Sequence, residues 1–93
     1  MTGVVRDNKE RHRFEMGVNG DVAFANYRLG DGVVIVIHTE VPAAVEGRGL
    51  GSQLVRGMLD QIRASGRKVV PLCGFVASFI RSHPEYHDLV SRP

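Results

Sequence analysis

The sequence predicts an α/β domain in the order β-β-β-α-β-α: a mixed, mostly antiparallel sheet flanked by two helices. Three observations carry this. Two hairpin signals, Asn19-Gly20 and Asp31-Gly32, separate runs rich in apolar residues. A glycine-spaced turn, Glu46 to Ser52, precedes an apolar stripe at helical spacing. A short apolar run, Lys68 to Leu72, then leads into a second such stripe. With 93 residues, 43% of them hydrophobic, the chain makes one domain with one modest core.

Residues 1–11 carry six consecutive polar or charged residues from Arg6 to Arg11 and read as a flexible, solvated N-terminal tail, so the domain proper is expected over residues 12–93. In the first strand Phe14 and Met16 alternate with Arg13 and Glu15, giving one buried face. The second strand, Val22 to Leu29, puts Ala23, Ala25, Tyr27 and Leu29 on one side and Val22, Phe24 and Asn26 on the other. The third, Val33 to Val41, opens with five β-branched residues and is expected to be a central strand covered on both faces.

Pro42 ends that strand. In the first helix Leu54, Val55, Met58, Leu59 and Ile62 form the apolar face, and Gly66 stops it. Gly57, inside this helix, costs about 1 kcal/mol relative to alanine and implies a close packing contact. After the fourth strand comes a helix over residues 74–83 with Phe75, Val76, Phe79 and Ile80 as its stripe, ended by Pro84, and then a short turn to Val90. The first helix joins two strands that should run parallel.

Composition excludes several partners. Twelve Lys and Arg against ten Asp and Glu give a net charge of +2, and the basic residues are scattered, so neither a nucleic acid nor a membrane surface is expected. The longest aliphatic run, Val33 to Ile37, is far short of the ~20 residues a membrane helix needs. The single cysteine, Cys73, fits a reducing, cytoplasmic setting and is a free thiol. His38, Cys73, His83 and His87 are potential zinc ligands, but no paired short spacing exists and Pro84 separates the last two, so no metal is expected.

The glycine turn is the strongest functional signal. Small residues let a ligand approach the backbone, and a helix N-terminus supplies free N–H groups and partial positive charge, which together suit a phosphate or pyrophosphate. No Lys stands in the turn, so it is not a Walker loop, and Gly47, Gly49 and Gly51 lack dinucleotide-fingerprint spacing. A ligand-free strand-to-helix connection is the remaining alternative.

The residues here resemble the acetyl-CoA signature of the GNAT superfamily of N-acetyltransferases. Gly49-Leu50-Gly51 fills its glycine positions, with Glu46 where the signature has Arg or Gln. The likeness extends to the small single-domain branch, through His38 to Pro42, Gly47 to Ser52, Pro71 to Cys73 and His83 to Val90, from about residue 12 to residue 90. The resemblance implies a minimal GNAT-like fold and an acetyl-CoA-dependent transfer to an amine of a small molecule or a protein. The third strand and the strand after the helix would splay apart. The pantetheine arm would pair with the strand edge around Thr39 and Val41, and the pyrophosphate would sit on the turn of Gly47, Arg48, Gly49, Leu50, Gly51 and Ser52.

Three side chains are candidates for the chemistry. His38 and Glu40 lie two apart in a strand and share a face, from which either could take an amine proton. Cys73 stands where the strands would open and could receive the acetyl group or flank the leaving sulfur. Many family members place a tyrosine acid on the following helix, where this chain has Phe79 and Ile80. His83 and Tyr86 read as helix-end and packing residues. The resemblance also implies an acceptor site that is open or completed by another subunit, because only Asn19-Gly20 fills the interval where larger members carry helices. A CoA-binding module with little catalysis is the alternative.

Overall fold

The computed structural model describes residues 4–18, 20–43 and 49–91. Its strands are β1 (Val5–Asn8), β2 (Arg13–Val18), β3 (Asp21–Gly30), β4 (Val33–Glu40) and β5 (Lys68–Pro71). Helix α1 (Leu50–Ala64) joins β4 to β5, and α2 (Gly74–Ser82) leads into a 3-10 helix at Pro84–Leu89. The strands lie side by side in chain order, antiparallel except for the parallel β4–β5 pair. Gly20 and Gly32 take positive φ (86° and 70°), the conformation for which their hairpins need glycine.

The expected N-terminal tail is corrected here: from Val5 it is a strand, paired antiparallel with β2 through Val5↔Met16 to Asn8↔Arg13. Composition hid it because the segment buries little more than Val5, and its other side chains act as polar partners. The Gln61 side chain donates to the Val5 carbonyl (2.5 Å), and Val5 packs onto Gly57 one turn earlier on the same helix face. A Cβ built at Gly57 would lie 2.8 Å from Val5 Cβ, so this glycine is the place where sheet edge and helix touch.

On the other side of β1 the polar residues gather around Glu15, the one buried charge among the described residues. Its carboxylate accepts from Arg13 (2.6 Å), Arg6 (3.0 Å) and Asn8 (3.0 Å). The Arg13 bond outweighs burial and, with the others, holds Glu15 down at about 2 against an ordinary 4.5. A depressed carboxylate stabilises the fold above its unfolded pKa and loses that contribution as pH falls toward the folded one. Glu15→Gln should therefore cost about 1–2 kcal/mol near pH ~7, after allowing for solvent screening of the exposed Arg6, and almost nothing near pH ~2. Urea unfolding at the two pH values measures this.

One core fills the space between the sheet and the helices. From the sheet come Phe14, Met16, Val18, Ala23, Ala25, Tyr27, Val34, Val36 and Val69, and from α1 the predicted stripe together with Leu50. The expectation that β4 is covered on both faces is not met. Val34 and Val36 are buried, while Val33 and Ile35 are half-buried and Ile37 is exposed on the face without helices. The β-branched run has a local use there: Val33 and Ile35 close over the bare backbone of Gly30. Leu29, grouped by parity with Ala23, Ala25 and Tyr27, is exposed at the end of its strand while those three are buried.

Candidate functional site

The parallel ladder between β4 and β5 ends at Val36↔Pro71. The Val36 carbonyl closes it by accepting from the N–H groups of both Leu72 (3.0 Å) and Cys73 (3.1 Å). Beyond this point β4 continues to Glu40 beside β3 alone, while the segment after β5 turns away into α2. The ladder therefore has a gap between the edge of β4 on one side and the start of α2 on the other, bridged at its apex by the contact of Cys73 with Thr39.

The start of α1 borders the same gap. Gly49 occupies the left-handed region (φ 72°) at the helix start, with no side-chain cap and no acidic residue in the first turn. Uncapped N–H groups in a first turn without acidic residues suit an anion. The Leu50 side chain is buried in the core, leaving its backbone to serve the turn. Gly51 lies against the gap, where a Cβ would come 2.8 Å from the Phe75 ring and 3.5 Å from Val41 Cγ2. Ser52 is exposed in this first turn. The expected turn residues Gly47 and Arg48 lie outside the described residues.

At the apex stands Cys73, half-buried, immediately before α2. Its thiol donates to Thr39 Oγ1 at 3.4 Å. Burial acts to raise the thiol, but the Thr39 hydroxyl and the backbone N–H groups of Val76, Phe75 and Thr39 outweigh it, and the net shift is downward. A partly exposed cysteine at a helix N-terminus with a lowered pKa is the environment that makes thiols nucleophilic.

The three catalytic candidates do not come together. Thr39 pairs with the buried Ala25 and so faces the helices, whereas His38 pairs with Asn26 and Glu40 with Phe24, on the opposite face of the sheet. The cause is a bulge: the register passes from Asn26↔His38 to Tyr27↔Val36, leaving Ile37 extra. Strict alternation from Val34 and Val36 would have sent His38 and Glu40 inward; the extra residue sends Thr39 inward instead. His38 and Glu40 do share a face, as their spacing requires, but it is not the face that holds Cys73. Glu40 lines an open groove of about 490 Å³ with Val22, Phe24, Thr39, Val41 and Pro42.

Nothing with a hydroxyl replaces the missing helix tyrosine at Phe79 and Ile80, which are both buried. The Tyr86 hydroxyl donates to Asp60 (2.6 Å), and burial first, then this bond, raises its pKa. Arg56 lies over the Phe79 and Tyr86 rings. His83 stacks on Phe79 (3.8 Å between centroids) with Nδ1 2.7 Å from that residue's carbonyl oxygen. Both have the structural roles expected of them. Two contributors were not anticipated from sequence: the Thr39 hydroxyl, read only as strand edge, and Phe75, read as core but 46% exposed at the gap. Phe75's place in the first turn after Cys73 was the available signal.

The family model for GCN5-related N-acetyltransferases matches residues 13–89. The chain belongs to the GCN5-related N-acetyltransferase family. This domain is 30% identical to mouse Protein NATD1 over 83 residues, covering 86% of this chain and 76% of that one. It is 31% identical to zebrafish Protein NATD1 over 91 residues, covering 92% and 83%. A GCN5-like protein of Staphylococcus aureus, solved by NMR, superposes with a TM-score of 0.73 at 22% identity, covering 100% of this chain and 93% of that one, and shares the fold. The acetyltransferase assignment accords with the splayed strands and uncapped turn, and the family generally uses acetyl-CoA. Strand β1 precedes the matched residues.

Proposed function

We propose that this acetyltransferase domain binds acetyl-CoA in the gap between β4 and α2 and passes the acetyl group through Cys73 to an amine. The observation that carries the reading is the setting of the Cys73 thiol, at the point where the strands part, with its pKa lowered by Thr39 and the first N–H groups of α2. The pyrophosphate would lie on the N–H groups of Gly49 to Ser52, and the pantetheine arm along the free edge of β4 at Thr39 and Val41.

In the first step the Cys73 thiolate attacks the thioester carbonyl carbon. A new S–C bond forms at Cys73, the C–S bond to CoA breaks, and the CoA thiolate leaves and takes a proton from water. In the second, a neutral amine attacks acetyl-Cys73. The N–C bond forms, the S–C bond breaks, and the amine's proton passes to the departing Cys73 sulfur or to water. Exchange of one thioester for another is close to isoenergetic, so the intermediate needs no external energy. A reducing compartment such as the cytoplasm would keep Cys73 in the thiol form that this route needs.

The groove lined by Val22, Phe24, Glu40 and Pro42 reaches Thr39 from the other side of the sheet and is the approach we infer for the acceptor. The Glu40 carboxylate would attract an amine that arrives as an ammonium, which gives up one proton to Glu40 or to water before it attacks as the neutral amine. His38, turned away from the thiol, has no part in this scheme.

Intact mass measured after mixing with acetyl-CoA, without acceptor, tests the route. The expected result is one added acetyl group, absent in Cys73→Ala. Binding of acetyl-CoA with transfer to an amine but no adduct would establish direct attack instead. Binding with no transfer to any amine would favour the CoA-binding module.

A further inference from the structure

At the other end of the domain is a cavity of about 520 Å³, within the range typical of small-molecule sites. It opens beside the last turn of α1, about 20 Å along that helix from the glycine turn, so acetyl-CoA chemistry does not account for it. Its floor is apolar and buried, made by Phe14, Tyr27, Val34 and Ile62. Its rim is basic: Lys9 and Arg67 both line it, and neither makes an ion pair among the described residues. The one carboxylate present, Asp7, is engaged, accepting from the Tyr27 hydroxyl at 2.6 Å.

The wall is held in place by the β1–β2 turn. His12 takes a positive φ of 53°, uncommon for a residue with a side chain, and its carbonyl accepts from the Tyr27 N–H at 2.9 Å. Its ring stacks on Tyr27, with centroids 6.0 Å apart and planes 25° from parallel. Hydrogen-bonded to Asp7 and stacked under His12, Tyr27 is a fixed aromatic wall beside two cations that make no ion pair among the described residues, and with Asp7 the cavity lining keeps a net positive charge.

We propose that this cavity is a second ligand site, for a small organic anion with a flat apolar body, such as an aromatic carboxylate. The body would rest on the apolar floor against Tyr27 and His12, and the carboxylate would meet Lys9 and Arg67. The proposal does not depend on the acetyl-transfer route.

Naphthoate is the probe, followed through backbone amide chemical shifts of the whole chain. Saturable shifts are expected at Phe14, Tyr27, Ile62 and Ser65, with Thr39, Gly49 to Ser52 and Cys73 unmoved. Lys9→Glu combined with Arg67→Glu should weaken binding about tenfold, as expected for two exposed charge contacts. Naphthalenemethanol, the uncharged counterpart, should bind the unaltered protein more weakly, a comparison that stands even if the variant fails to fold. No shifts at millimolar naphthoate, shifts centred on the glycine turn, or equal affinity for the uncharged compound would each overturn the proposal.

Discussion

Cys73→Ala loses acetyl transfer by at least about a hundredfold, the scale on which removal of a nucleophile or a positioned proton carrier is felt. Affinity for acetyl-CoA should change little, because the expected contacts are the N–H groups of the α1 start and the edge of β4, which this substitution leaves in place. The expectation follows from the surroundings of the sulfur. The thiol donates to Thr39 Oγ1, the first N–H groups of α2 act to lower its pKa, and it stands where β4 and β5 stop pairing. The other candidates are placed elsewhere: His38 and Glu40 are on the opposite sheet face, and the Tyr86 hydroxyl is committed to Asp60. Cys73→Ser separates shape from ionisation. It can keep the bond to Thr39 but not a thiolate, and should be impaired nearly as much as the alanine variant. Steady-state rates on an accepted amine measure both. Near-normal turnover by Cys73→Ala would end the covalent route.

Gly57→Val unfolds the domain more easily by about 2–4 kcal/mol, read as a drop in the urea midpoint at unchanged slope. Valine gains some helix propensity over glycine, worth only a few tenths of a kcal/mol, so the loss is steric. Any Cβ at this position lands on Val5, whose Cβ would be 2.8 Å away. Either β1 detaches, forfeiting the Gln61 bond and exposing Val5, or α1 tilts and disturbs the core beneath Met58 and Leu59. Val5→Ala in the same chain should restore part of the loss. A double-mutant cycle that gave simple additivity would show that the two residues do not meet.

These two positions show what sequence can and cannot express. Gly57 announced a contact, because a glycine in a helix interior needs a reason, but its partner lay in a segment whose charged residues looked like a tail. Strand β1 was illegible for the same reason: a four-residue strand with one buried apolar residue has no periodicity to detect, and its stability comes from Glu15, Gln61 and Gly57, all distant in sequence. The hairpins, both helices and the parallel β4–β5 pair were legible, since Asp31-Gly32, the Leu54 to Ile62 stripe and the Gly66 stop each carry a local physical cause.

The site divided along similar lines. The turn at Gly49 to Gly51 and the position of Cys73 followed from order along the chain. The facing of His38 and Glu40 did not, because one extra residue at Ile37 reverses which side chains face inward, and a bulge in an apolar run leaves no mark in composition. Thr39 gained its place beside Cys73 by that same reversal.

Everything proposed for catalysis depends on the gap between β4 and α2, with the start of α1, receiving acetyl-CoA. This binding is tested most directly by titrating the protein with acetyl-CoA and following its backbone amide shifts. Thr39, Gly49, Leu50, Gly51, Ser52, Cys73 and Phe75 should respond together and saturate together, while Tyr27 and Ser65 at the far end of α1 remain still. A titration that leaves the glycine turn and Cys73 unmoved at millimolar acetyl-CoA would contradict it.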